Sequence, residues 1–523
     1  MKSIMNCVAF AILLFSASWA YGSDVEEVIV VGSKVTYTYN DPEYEASAIE
    51  ALDATRVFQP GGLGGFVGMT MNGTDVKHTA VYRNGIPVND AGNGWYDFGT
   101  ELPMFQSYTI ISGPNSSLYG SSSMGGTILI EDQFDGKNVF TKLGNDIYYI
   151  TGGNDFLQVA KYRGSNGSVK TNNTETDWFE NTTVKTAIDF SENWKLNYSG
   201  QDYDYDYDGC WDSSFNEVNV CNQEGQKHDV SLRGDWITIG YTRNDAKFYT
   251  EGVETWAAVS ERYFLDVNGE VYDNLVIGLQ GNREEYGANW DEHLAGYLNY
   301  TIPLEDFSNI GIGYRFEEDE NVFRLGYESG LFRIVAANSF RKPNLFERYG
   351  GEFTFSNPNI NPEKGKGIEV GYDYLSVWYY EFSEGIEYDF SGNQYINTGE
   401  YSSKGIKLDD YVMTDHGNFG YLLVYQDSDK IRIPRKKAKL SYFDGNDEFD
   451  YTISWVGQWD RGNDFDGSPI DDVNTVQINF GYWVNANSRL SLMISDLLDK
   501  EFEILPGYGA GGRTITLSFN LTR

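Results

Sequence analysis

Residues 476–484 read Val-Gln-Ile-Asn-Phe-Gly-Tyr-Trp-Val, so that Val476, Ile478, Phe480, Tyr482 and Val484 stand at every second position. Successive residues of a strand point to opposite faces, so these five side chains line one face of one strand. The same period recurs at Ile310, Ile312, Tyr314 and Phe316, and at Ile368, Val370, Tyr372 and Tyr374. It returns at Tyr451, Ile453, Trp455 and Gly457, and closes the chain at Ile515, Leu517, Phe519 and Leu521. Turn-forming clusters such as Asp444-Gly445-Asn446-Asp447 and Gly462-Asn463-Asp464 separate the runs. No helical stripe interrupts them. From about residue 136 onward the pattern predicts an all-β, antiparallel array, and closure into a barrel is the simplest way to remove its edges. The region before it is glycine-dense, with Gly61-Gly62-Leu63-Gly64-Gly65 and Gly92-Asn93-Gly94, and lacks long alternation. It reads as a small separate domain, and with no linker after it, as one lodged inside the barrel.

The N-terminus fixes the compartment. Lys2 precedes an apolar run, Cys7 to Phe15, that is too short to span a bilayer, and small residues follow at Ala20 and Gly22. Residues 1–22 are a secretory signal peptide, with cleavage after Ala20 as the alternative. Nothing later approaches the ~20 apolar residues of a membrane helix. The chain carries 39 tyrosines, 31 phenylalanines and 12 tryptophans, at a mean hydropathy of -0.45. That suits a barrel, whose strands show lipid only every second side chain while aromatics gather at the interfaces; a large secreted β-protein is the alternative. Seventy-seven acidic residues against 39 basic ones give a net charge of -38. Nucleic acid is therefore not an expected partner. Cys7 leaves with the signal, and Cys210 and Cys221 remain as an even pair in an oxidising compartment, which reads as one disulfide closing a surface loop.

Several motifs carry a family resemblance. Glu26-Glu27-Val28-Ile29-Val30-Val31-Gly32 resembles the Ton box of TonB-dependent outer-membrane receptors, a β-prone stretch able to add as a strand to a partner. Met71-Asn72-Gly73-Thr74 with Val81 to Asp90 (VYRNGIPVND) resembles the family's "RGT … VLIDGVPLN", Ser112 to Gly120 (SGPNSSLYG) its "RGPxSxLYG", and Met124 to Ile130 its "xGGVINI". In the barrel, Pro343 to Tyr349 with Asn357 to Lys364 is similar to "KAPNLxxLYG … NPNLxPEKS". Asp496 to Phe502 with Pro506-Gly507-Tyr508 and Gly512-Arg513 is similar to "NLFDKxY … GYxxxGR". These barrel segments follow the cobalamin-transporting branch of the family.

The resemblance implies a Ton box segment at 23–34, a plug at 35–135 and a transmembrane barrel of about 22 strands at 136–523, in the outer membrane of a Gram-negative bacterium. Strands of roughly 9–11 residues fit that count only if their connections are short. It implies a monomer among outer-membrane lipid and lipopolysaccharide, energised by the TonB protein with the ExbB–ExbD complex. Its implied cargo is a scarce bulky nutrient, cobalamin first, with a ferric siderophore or haem as alternatives. A passive porin is the rival from another class. The sequence departs from the family where Asn72 and Ser112 replace the two plug arginines, which puts their usual polar contacts to the barrel wall in question. The first part of the plug is short, and the chain ends in Arg523 rather than an aromatic residue.

Two sets of candidate residues follow. Phe66, Trp95 and Tyr96, with Asn89 and Asn93, would offer a bulky ligand apolar contact with a few polar groups. Asp90, Asp97 and Glu101 outnumber Arg83 there, which disfavours an anionic ferric catecholate. Asp202, Asp204, Asp206 and Asp208 alternate with Tyr203, Tyr205 and Tyr207, so on a strand the four carboxylates would share one face, about 7 Å apart. Crowded oxygens suit calcium, and the cobalamin branch carries calcium in such a loop; a solvated acidic loop tip stapled by Cys210 and Cys221 is the alternative. The run Asp204-x-Asp206-x-Asp208-Gly209 imitates an EF-hand start but has Phe215 where that loop needs its Glu. The four histidines, His78, His228, His293 and His416, form no metalloprotease or zinc spacing, and no G-x-S-x-G elbow appears, so no enzymatic activity is expected.

Overall fold

The computed structural model describes residues 34–39, 54–58 and 65–522, apart from 103, 135, 146, 166–175, 213, 215, 305–306, 352–353, 465, 501 and 510–511. The Ton box, Glu26 to Val31, lies outside the described residues.

Twenty-two antiparallel strands close into one barrel, from Asn138–Gly144 to Thr514–Thr522. The last strand pairs with the first, Thr516 opposite Gly144 and Thr522 opposite Asn138, which leaves the wall without an edge. Alternation along each strand is turned inside out relative to a soluble protein. On Ser308–Glu317 and Glu320–Ser329, Phe316, Phe323 and Leu325 are at least half exposed, whereas Arg315, Glu317 and Arg324 are buried against the interior. Ile310, Ile312, Tyr314 and Phe316 thus share the outer face, as their spacing predicts. A wall bathed in hydrocarbon must satisfy every backbone group internally, and a closed ladder does so. Among the described residues no helix is long and apolar enough to cross a membrane; the strands are the crossing elements.

Inside lies a five-stranded sheet in the order β1-β6-β7-β4-β5. Its strands are β1 (Lys34–Tyr39), β4 (Thr79–Arg83), β5 (Ile86–Pro87), β6 (Gln106–Ser112) and β7 (Gly126–Asp132); β2 (Ala54–Phe58) and β3 (Val67–Met71) pair separately. β4 and β7 run parallel, and β1 pairs antiparallel with β6. Met69, Met71, Val81, Ile86, Tyr108, Ile110, Ile128 and Ile130 form its core, joined by Phe264 from the wall. The plug therefore has its own apolar centre and meets the barrel through polar groups and through two apolar contacts, Leu102 and Met104 against Phe140, Tyr149 and Phe179, and Met124 against Trp378, Tyr380 and Phe382.

One end of the barrel, here the upper end, carries the longer connections: 208–220, 342–362, 384–400 and 460–472. Several others are two-residue turns, such as Glu251-Gly252, where both residues take positive φ as a tight hairpin requires.

Candidate functional site

The apex of the plug is built by local chemistry. Towards the lower end of the wall, beside Arg233, β4 and β5 are joined by Asn84-Gly85, at φ 47 and 82, the pairing a two-residue hairpin favours. The loop that follows is cross-braced by Asn89, whose Oδ1 accepts the Val81 amide at 2.7 Å while Nδ2 donates to Thr79 and Gly94 carbonyls. Asp90 accepts the Gly92 and Asn93 amides on one oxygen, and Asn244 Nδ2 and Ser260 Oγ from the wall on the other. A long loop is thus fixed at the upper face of the plug.

Above and beside it lies a cavity of about 250 Å³. Phe66, Asn89, Asn93, Trp95 and Tyr96, the five residues singled out in the sequence, all line it. Their parts differ. Phe66 and Trp95 meet with ring centroids 5.0 Å apart and supply apolar surface. Asn89 is consumed by its own loop, and Tyr96 donates to Glu101 at 2.5 Å while receiving Arg83 Nη2 at 3.0 Å. The wall adds Tyr203 and Tyr205, known from the alternating stretch but not as cavity residues, and Phe248, Trp256 and Tyr286, which no local pattern marked. Lys227, Arg243 and Asp229 also reach the cavity from the wall. The cations there are engaged. Arg83 is paired with Glu101 and Asp132, Lys227 Nζ lies 3.8 Å from Asp97, and Arg243 is bonded to Asp245 and Glu261.

Two buried ion networks fasten the plug to the wall. In the first, Arg83 meets Glu101 at 2.5 Å and Asp132 at 3.0 Å, and Lys185 of the Trp178–Ser191 strand joins Asp132 at 2.9 Å. Burial alone would push the Glu101 carboxyl up, but Arg83 and Lys185 outweigh it and hold it at about 2. Burial also pushes Asp97 up, against the pull of Lys227. In the second network, Lys77 Nζ meets Glu347 at 2.7 Å and His78 Nε2 meets Glu363 at 2.8 Å, while Arg341 bridges the two carboxylates. The His78 ring stacks beside Phe382 and Tyr401. Breaking such a pair strands a charge, at a cost of about 3–5 kcal/mol.

The arginine-to-asparagine departure did not remove the plug's polar contact with the wall at this point. Asn72 Nδ2 donates to the Tyr380 hydroxyl at 2.9 Å, and its carbonyl accepts Ser403 Oγ at 2.5 Å.

The Tyr/Asp stretch needs one correction. Asp202, Asp204 and Asp206 share the outer face of Trp194–Tyr207, but Asp208 does not join them. The strand ends at Tyr207, the chain turns at Gly209 (φ 82), and Asp208 is buried. Asn222 Nδ2 donates to Asp204 at 2.5 Å and to Asp206 at 3.1 Å, easing their repulsion. No group of three or more His, Cys, Asp or Glu residues with metal-holding geometry occurs among the described residues. Cys210 and Cys221 form a disulfide at the foot of the 208–220 loop.

Comparison with known proteins agrees with this architecture. Residues 116–497 match the family description "TonB dependent receptor-like, beta-barrel", and residues 46–127 match "TonB-dependent Receptor Plug Domain". Among solved structures, a mutant ferric enterobactin receptor (PfeA) from Pseudomonas aeruginosa in complex with enterobactin is similar at 14% identity and a TM-score of 0.69, over 95% of this chain and 100% of that one. The siderophore receptor PirA from Acinetobacter baumannii is similar at 13% identity and 0.68, over 94% and 98%. The copper transporter OprC is similar at 14% and 0.71, over 94% and 99%. At such identities the likeness is one of fold.

Proposed function

The chain belongs to the TonB-dependent receptor family of outer-membrane transporters, and from that premise we propose that its upper cavity captures a bulky, uncharged or cationic nutrient, cobalamin before any other, for energised import. One observation carries the ligand class: Arg83, Lys227 and Arg243, the cations lining the cavity, are already engaged by carboxylates, while aromatic rings and amides make up much of the remaining lining. A multiply anionic complex entering there would have to break an ion pair to find a partner, whereas a neutral corrin or a cationic complex would not. A neutral ferric siderophore obeys the same rule. It is the second reading, favoured by the siderophore receptors among the similar structures.

Energisation fits the same proposal. Glu26 to Val31 would pair as a strand with the TonB protein, itself driven by the ExbB–ExbD complex. Calcium between Asp204 and Asp206, the two carboxylates that meet at Asn222, would stiffen the rim beside the cavity wall that Tyr203 and Tyr205 line; Asp208, buried beyond the end of the strand, would take no part.

Quenching of intrinsic tryptophan fluorescence in the purified protein tests the ligand class, since Trp95 and Trp256 line the cavity. Cyanocobalamin is expected to quench saturably and a ferric tris-catecholate is not. The opposite pattern would sink the ligand assignment while leaving the family untouched.

A further inference from the structure

On the lipid-facing side of the wall, four neighbouring strands sink into a groove of about 580 Å³. They are Glu320–Ser329, Phe332–Arg341, Glu363–Tyr372 and Leu375–Ser383. Their register explains the groove. Leu325, Ala336, Ile368 and Tyr379 stand opposite one another along one row of the sheet, and all four are exposed on its outer face. Three are large and one is a methyl group. Ala336 is therefore the floor of a slot between Leu325 and Ile368, which lie two strand spacings, roughly 10 Å, apart. Phe323 raises the slot on the Leu325 side, and both residues are more than half exposed. A slot of this width and apolar lining suits a hydrocarbon chain lying along the wall.

One row higher the chemistry changes. Asn338 stands opposite Lys366, and Lys366 opposite Glu381. Lys366 Nζ meets Glu381 at 2.8 Å, and the Tyr379 hydroxyl donates to the same carboxylate at 2.7 Å. Lys404 stands opposite Tyr379 on the next strand, Tyr401–Thr414. Below the slot the facing row is apolar or aromatic: Tyr327, Ile334, Val370 and Val377. The slot thus opens where the apolar band of the wall gives way to its polar margin, the depth at which the chains of a lipid join its head. This margin belongs to the upper end, because Glu363–Tyr372 begins directly after the 342–362 connection. Longer connections mark the outward side of such a barrel.

The cations at the mouth are accessible. Lys366 is 72% exposed, and Lys364, Lys404, Arg435 and Lys436 are each more than half exposed. Exposed ion pairs contribute little, and an ammonium has three donors, so a phosphate can join or replace the carboxylate at such a lysine. These five cations stand against Glu320, Glu381, Glu400, Asp427 and Asp460. That is an even balance in a chain with 77 acidic residues for 39 basic ones. Here an anionic head meets no net repulsion.

We propose that this groove seats one molecule of lipopolysaccharide from the outward leaflet. One acyl chain lies over Ala336 between Leu325 and Ile368, and phosphates of the sugar head are taken by Lys366 and Lys404. These two lysines are two strand spacings across and two residues along from each other, roughly 12 Å. A glycerophospholipid brings one phosphate and reaches one of them. A sugar head with a phosphate at each end reaches both.

Lipid retention by the full chain, refolded in detergent without lipopolysaccharide, tests the site. Purified lipopolysaccharide is added with phosphatidylglycerol as competitor, and native mass spectrometry reads which lipid stays bound. Wild type is expected to retain one lipopolysaccharide in preference to phosphatidylglycerol. Ala336→Phe fills the slot and should weaken retention by at least about tenfold, the effect of some two buried methylenes expelled. Lys366→Gln with Lys404→Gln should weaken it by a similar factor through lost charge. Ile239→Phe, also on an exposed outer position but five strands away from Glu320–Ser329, should change nothing. Circular dichroism checks that each variant folds, and Ala336→Leu replaces the phenylalanine variant if that one does not. Wild type that retains no lipopolysaccharide, or retains phosphatidylglycerol equally well, overturns the proposal. So does a filled slot that binds as wild type does, even if the lysine variant loses binding, or a loss at Ile239→Phe as large as at Ala336→Phe. None of these outcomes depends on what the upper cavity binds.

Discussion

Glu101 shows how a plug residue is held by groups that no local pattern announces. In the sequence it stands with Asp90 and Asp97 as one more acid near Arg83. In the structure its carboxyl lies between Arg83 and Lys185, the second arriving from the wall. Its carboxyl titrates near 2 in the folded protein, below its ordinary 4.5, which corresponds to about 3 kcal/mol at 1.36 kcal/mol per unit. That contribution is fully present above about pH 4.5 and is lost as pH falls towards 2. Burial pulls the Asp132 carboxyl the other way, but Lys185 and Arg83 lower it too, so both acids of this anchor weaken in the same direction. Purified protein is expected to expose its plug to protease across that acid window. Glu101→Gln should make the plug protease-sensitive already at neutral pH and flatten the acid response. A variant that keeps the wild-type profile would show that Glu101 does not fasten the plug.

At the scale of the element, the stretch Gln201 to Asp208 shows what alternation can and cannot tell. Period two correctly separates tyrosines from aspartates. It does not say which face is inside, because that depends on closure with strands far along the chain. In the closed wall the tyrosines point inward, Tyr203 and Tyr205 to the cavity, and the aspartates outward. The position of the turn that removes Asp208 from the ladder depends on Gly209, beyond the alternating run. Three outward carboxylates, two of them already bridged by Asn222, make a weaker cation site than four would. Calorimetry is expected to show calcium binding only in the millimolar range, and the pair Asp204→Asn, Asp206→Asn to lose that heat with the barrel still folded. Wild type without any calcium heat would leave the ladder as a solvated rim.

Over the whole molecule, the barrel was legible because its rule is local: alternation within a strand and a turn between strands. The number of strands was not local and came from motif resemblance. The fastening of plug to wall was least legible. Lys77 meets Glu347 and His78 meets Glu363 across about half of the chain, and only the closed barrel brings them together. Asn72 keeps a bond to the wall where the motif lost its arginine, because Tyr380 reaches it. These separations matter for energy coupling, since a plug with its own core, joined to the wall by side chains rather than by a shared sheet, can be moved in part without unfolding the wall. The segment that would receive the pull, Glu26 to Val31, precedes β1, which zips onto β6. Strand addition to the TonB protein needs successive backbone donors, and proline removes one and fixes its φ. Val28→Pro is therefore expected to leave cyanocobalamin binding and barrel folding unchanged while abolishing energised uptake by whole cells. Deleting residues 24–32 should do the same. Uptake that survives both changes would make the chain a passive pore, since diffusion through an open lumen needs no such handle, and a protein that loses binding as well would show that the segment supports the fold rather than the coupling.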